Sequence, residues 1–151
     1  MARILIVGYG LRPLALARAV AAAGQLARLA QPQPPPAEPG IEPLPADPLR
    51  LGTVGAAFAQ VALACWMVGE GPPERAAELH GPRLEGFVRV AVDSGARGIA
   101  CEPPPPSVPG DPAAAAARLC ERHALGFALL DQGGDRWAEL AVERLLALLA
   151  G

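Results

Sequence analysis

The first ten residues limit the fold more than any other part of the chain. Ile4, Leu5, Ile6 and Val7 form an unbroken apolar run that stops at Gly8 and is followed by Tyr9 and Gly10. A run without polar alternation suits a strand covered on both faces, which is the situation inside a parallel sheet. Pro13 fits the first turn of a helix, where its missing N–H costs nothing. Leu14, Ala17 and Ala21 then share one helical face, and Gly24 supplies the stop. A strand, a glycine turn and a helix in this order commit the chain to α/β alternation.

The later segments keep that rhythm. Leu26 to Ala30 reads as a second strand. Gln31 to Pro48 holds eight prolines, which excludes a regular helix and leaves room for a short strand near Ile41 to Leu44 only at a sheet edge. Asp47-Pro48 has the form of an N-cap with a first-turn proline, opening a short helix to about Ala57. Gln60 to Val68 is the strongest later strand, and Gly69 to Pro73 is a turn. A helix follows from Pro82 to about Ser94, then a strand from Gly98 to Cys101 that Pro103 to Pro106 ends. Asp111-Pro112 opens an alanine-rich helix to about His123. Phe127 to Leu130 is the last strand, and Asp135 is placed to cap a final helix bearing Trp137, Leu140, Ala141, Leu145 and Leu148 on one face. The expected class is α/β: one domain over residues 1–151, with a doubly wound, mainly parallel sheet in the order 3-2-1-4-5-6 and the first strand central.

Charge and cysteine content exclude several functions. The formal net charge is −2 and lysine is absent, so the chain carries no basic footprint for nucleic acid. No apolar run reaches membrane-spanning length without charge or proline, and the short run before Gly8 reads as a strand rather than a leader. Three widely spaced cysteines, Cys65, Cys101 and Cys120, make neither a CxxC pair nor a zinc pattern. They read as buried thiols in a reducing cytoplasm. His80 and His123 sit in no ligand pattern, so no metal is expected. Glu70, Glu74 and Glu78 read as a solvated helical face.

Chemistry is concentrated at Gly8-Tyr9-Gly10. In a Rossmann dinucleotide-binding turn the first glycine makes the bend, and the second lets a pyrophosphate approach the backbone. The helix that follows presents free N–H groups and its positive end. Pro13 stands where a third glycine is expected, leaving Leu11 and Arg12 as donors, with the Arg12 guanidinium available for phosphate. The competing reading is a plain strand–turn–helix link that needs two glycines. No Asp or Glu lies between Gly10 and Glu38 to hold ribose hydroxyls, and Arg28 is the charge nearest the end of the second strand.

Ile4 to Gly10, Ala46-Asp47 and Val61 to Gly69, in this order, resemble the NAD(P)-dependent epimerase/dehydratase branch of the extended short-chain dehydrogenase/reductases. The resemblance implies that Asp47 contacts adenine and that the segment Cys65 to Gly69, with Trp66 and Met67, lies over the cofactor. An N-cap role for Asp47 and a core role for Trp66 compete with those assignments. The implied set for NAD or NADP is Gly8, Tyr9, Gly10, Leu11, Arg12, Asp47, Trp66 and Met67. The family's catalytic Tyr-x-x-x-Lys is missing: Tyr9 is the sole tyrosine and there is no lysine. Cys101 beside Glu102, at a strand's C-terminal end, is the one thiol placed for reactivity. The expectation is a degenerate Rossmann protein that binds a nucleotide or dinucleotide without redox chemistry. The alternatives are an interaction protein that has lost the ligand, or a reductase that borrows catalytic groups from a partner. The apolar surplus on the last helix suggests a homodimer, unless that helix completes the chain's own core.

Overall fold

A computed structural model describes all residues, Met1–Gly151. Six strands form one sheet: β1 (Arg3–Gly8), β2 (Leu26–Gln31), β3 (Ile41–Pro45), β4 (Leu63–Met67), β5 (Gly98–Cys101) and β6 (Gly126–Leu129). Their order is β3-β2-β1-β4-β5-β6 and every pairing is parallel, as the sequence predicts. The helices are α1 (Leu11–Ala22), α2 (Leu51–Gly55), α3 (Ala76–His80), α4 (Pro82–Ser94), α5 (Pro112–Arg122) and α6 (Trp137–Ala150).

The central strands explain the unbroken apolar runs. Leu5 and Val7 of β1 and Ala64 and Trp66 of β4 face a core closed by α4 and α5. Ile4 and Ile6, with Leu63, Cys65 and Met67, face a second core closed by α1 and α6. Neighbouring residues point to opposite faces and both faces are covered, so no position is left for a polar side chain.

At the β3 edge the ladder bonds run from Ala27 N–H to Gly40 O and from Ala46 N–H to Gln31 O. Even-numbered residues therefore face β2, and Ile41, Pro43 and Pro45 face outward. The prolines sit where the ladder asks for no donor.

Two boundaries, one cap and one additional helix differ from the sequence reading. The β4 strand starts at Leu63 rather than Gln60, because Gln60 holds φ +60° and cannot continue a strand. Helix α2 starts at Leu51, because Asp47 accepts the Leu49 N–H at 2.9 Å and closes a turn instead of capping a helix. Asp135 caps nothing; Arg136 takes the N-cap position of α6 and makes no side-chain cap bond. Helix α3, with a 3₁₀ turn at Pro73–Arg75 before it, was not anticipated. Asp111 does cap α5, accepting the Ala114 N–H at 3.0 Å.

The apolar surplus of α6 is used within the chain. Ala141, Val142 and Leu145 are buried, and Trp137, Leu146, Leu148 and Leu149 pack against the α1-side core. Leu140 is the one large apolar side chain of this helix that stands exposed.

Candidate functional site

The C-terminal ends of β1, β4 and β5 meet the N-terminus of α1 at a crevice, the place where open α/β sheets hold ligands. Gly8 is required there for space. A Cβ at Gly8 would overlap the Met67 carbonyl oxygen, come within 2.7 Å of its carbon and lie 3.1 Å from Pro13 Cγ. Pro13 is buried and fits against the strand end, so it does not hold the helix away. The Tyr9 N–H donates to Met67 O at 3.2 Å and ties the loop to β4. Gly10, at φ +82°, then turns the chain into α1.

An acidic side chain occupies the anion position of the loop. Glu70, in the turn after β4, accepts the Arg12 N–H at 2.8 Å and the Leu11 N–H at 3.3 Å, one on each carboxylate oxygen. Pro13 offers no N–H, so this carboxylate takes both donors of the first turn that point outward. A Cβ on Gly10 would come within 2.5–2.6 Å of the same oxygens. Glu70 is therefore part of the site and not a solvated helical face. Its sequence signal, one carboxylate in a turn, says nothing of a partner 58 residues away.

The remaining polar groups are paired in the same way. Arg12 donates from Nε to Glu102 at 2.7 Å, and its guanidinium lies 3.9 Å from the centre of the Trp137 ring. Glu102, almost fully buried, also accepts the Gly69 N–H at 3.4 Å. The Tyr9 hydroxyl donates to Asp47 at 3.2 Å; burial first, and then the Asp47 charge, hold its pKa above the usual tyrosine range. Gln31 closes the end of β2 and donates to Gly10 O at 2.9 Å.

The structure gathers Gly8, Tyr9, Gly10, Leu11, Arg12 and Asp47 around one loop. It does not bring the side chains of Trp66 and Met67 there. Trp66 is buried, packs on Phe87 with 4.7 Å between ring centres and donates to Leu79 O at 2.9 Å. Met67 is buried in the opposite core and offers the site only its carbonyl. Arg28 points away from the crevice, donating to Ala57 O and Ala59 O at 2.6 and 2.9 Å. The Cys101 thiol is not poised to react, since burial, with Cys120 and Glu102 nearby, pushes it up to about 12.

Beside the loop runs a groove of about 390 Å³ lined by Tyr9, Gly10, Leu11, Leu14, Gln31, Pro32, Gln33 and Pro35. None of these side chains is charged. A larger groove of about 710 Å³ lies between α4 and α5 and includes no loop residue. No group of His, Cys, Asp and Glu residues is arranged to hold a metal ion, and no helix is long and apolar enough to cross a membrane.

For a dinucleotide the fit is divided. The glycine turn, the two N–H donors and the neighbouring groove suit one, whereas the carboxylate on those donors and the lack of an acid at the end of β2 do not.

No protein-family profile and no curated protein matches the chain in sequence. Solved structures do match in fold. A UDP-N-acetylglucosamine 4-epimerase from Bacillus cereus aligns with TM-score 0.63 at 9% identity, over 85% of this chain and 52% of that one. A nucleoside-diphosphate-sugar epimerase from Staphylococcus aureus gives 0.63 at 15%, over 85% and 49%. The Citrobacter sp. triphenylmethane reductase, solved with NADP(H), gives 0.60 at 17%, over 89% and 50%. The chain therefore has the Rossmann fold of these two epimerases and this reductase, and spans about half the length of those neighbours.

Proposed function

We propose that this chain is a nucleotide-binding Rossmann protein that performs no hydride transfer by itself. One observation carries the reading: the Leu11 and Arg12 N–H groups converge on a single oxyanion, that of Glu70, beside an uncharged groove. The loop thus keeps the donor geometry of an anion site. Gly8, Tyr9, Gly10, Leu11 and Arg12 would hold the ligand, with Asp47 at the edge of Tyr9, and NAD or NADP are the candidate cofactors. Either would supply a hydride-carrying nicotinamide. This chain has no Tyr-Lys pair to move the accompanying proton, because Tyr9 is bonded to Asp47 and lysine is absent.

The test is a thermal-shift panel with NAD, NADP, FAD, ATP and UDP-sugars. A ligand at about 100 times its Kd adds roughly 2.7 kcal/mol of stability. Stabilisation that Gly10→Val abolishes supports the site, and stabilisation that survives this change moves the ligand elsewhere. Turnover of a nicotinamide cofactor by the purified chain would refute the absence of redox chemistry.

A second reading, a protein kept for its interactions, is favoured by the internal pairing of Glu70, Arg12, Glu102 and Asp47. Self-association belongs to that reading, with Leu140 at the contact, in a reducing cytoplasm that suits three free thiols. Light scattering at micromolar concentration tests the self-association alone, since a monomer excludes the homodimer; the interaction reading itself gains if no nucleotide stabilises the chain.

A further inference from the structure

From the placement of Glu70 we infer that its carboxylate is a built-in competitor for the phosphate subsite, so that the loop selects nucleosides over phosphorylated ligands until Glu70 is displaced. The inference rests on the nucleotide-binding reading above.

Three observations carry it. First, both free donors at the start of α1 are spent on Glu70, at 2.8 and 3.3 Å, and Pro13 adds no third. A phosphate oxygen cannot reach these N–H groups while the carboxylate holds them. Second, the cation nearest these donors is not free to help. Arg12 is held by Glu102 at 2.7 Å and stacked on Trp137 at 3.9 Å. The crevice therefore presents three carboxylates, those of Glu70, Glu102 and Asp47, against the guanidinium of Arg12 and, near Tyr9, that of Arg75, a net negative balance that repels a pyrophosphate. Third, the adjoining groove is uncharged. Leu11, Leu14, Pro32 and Pro35 give it apolar walls, and Gln31 and Gln33 give it amides. Such a lining suits a neutral planar base and its sugar, held by stacking and amide hydrogen bonds. Glu70 itself lies in an exposed turn between β4 and the Pro73–Arg75 3₁₀ turn, so it can leave without unpacking the core.

The experiment measures binding by calorimetry of adenosine, ADP and NAD to the wild-type chain and to the Glu70→Ala and Glu70→Gln variants. Expected is at least a tenfold tightening of ADP and NAD in Glu70→Ala and a smaller gain in Glu70→Gln. Adenosine should stay within about twofold in all three proteins. Amide NMR gives a second readout: inorganic phosphate should shift the Leu11 and Arg12 N–H signals in Glu70→Ala and leave them in place in the wild type. Where ADP and NAD bind but neither variant tightens them, or where adenosine gains as much as they do, the inference is overturned and the binding function stands. If no ligand binds any of the three proteins, the binding function fails and the inference with it.

Discussion

Replacing Gly8 with alanine tests whether the glycine turn is a steric requirement of the sheet. The added methyl would overlap the Met67 carbonyl oxygen and sit 2.7 Å from its carbon, where ordinary contacts begin at 3.4 Å. The carbonyl oxygen lies closer still than the carbon, so the ends of β1 and β4 must part by roughly 1.5 Å, a shift the flanking cores resist because interiors are close-packed. Overpacking of this kind costs about 1–3 kcal/mol. The Tyr9 N–H bond to Met67 O, 3.2 Å in the native chain, would be strained as well, at about 1 kcal/mol. A total near 3 kcal/mol lowers the melting temperature of a domain this size by roughly 6–12 °C. The control is Gly55→Ala. Gly55 has helical angles, φ −53° and ψ −45°, and open space where its Cβ would go. That change should stabilise by about 0.5–1 kcal/mol. Calorimetric melts of both variants suffice. A Gly8→Ala protein that melts within about 2 °C of the wild type would refute the steric argument.

Other outcomes follow from the same geometry. Trp66→Phe removes the donor to the buried Leu79 carbonyl and should cost about 1–3 kcal/mol in urea unfolding, with no effect on ligand binding. Cys65, Cys101 and Cys120 are buried, with their thiols pushed up by burial, so Ellman's reagent should find no thiol in the native chain and three in denaturant. Burial lowers the pKa of His80, so between that value and the usual 6.5 the unfolded chain binds the extra proton. Stability should be complete above pH 6.5 and fall as the pH drops below it, and His80→Gln should remove that part of the slope in pH-dependent melts. Glu42 is held below the usual carboxylate range, chiefly by its bond from Arg3 and also by Arg28. Its contribution is present above the unfolded value near 4.5 and disappears as acid carries the chain through the lower, folded one; Glu42→Gln should flatten that region of the titration.

The sheet was legible because its signals are local. The apolar runs at Ile4–Val7 and in β4 have neither polar alternation nor helical spacing, and the prolines of β3 predict the edge that strand occupies. The Asp111 cap was legible for the same reason, since donor and acceptor lie three residues apart. The pairings that define the crevice were not legible. Glu70 meets Arg12 across 58 residues, Arg12 meets Glu102 across 90 and Tyr9 meets Asp47 across 38. None of these acids has a local pattern that announces its partner. Asp47 looked like a cap because Pro48 follows it, but the preceding fold brought the Tyr9 hydroxyl and the Leu49 N–H to its carboxylate instead. Trp66 and Met67 fall at the end of a strand, where the resemblance places cofactor contacts, yet strand alternation sends their side chains into the two cores.

The two rims of the sheet are chemically unequal. Along the outer side of β3, Pro43 and Pro45 carry no hydrogen to donate, and the Ile41 N–H is already taken by Glu38 O at 2.9 Å. An incoming strand would find acceptors there and no donors, so a ladder cannot start. On β6 the Gly126 and Leu130 N–H groups point inward to Arg97 and Cys101, which turns those of Phe127 and Leu129 outward. Both are genuine donors, and the strand that carries them is only half-buried. The Leu129 carbonyl on this rim is already held by Arg144 at 2.9 Å, so a strand added here must displace that guanidinium; strand addition is confined to this rim, and a proline at position 127 or 129 would close it.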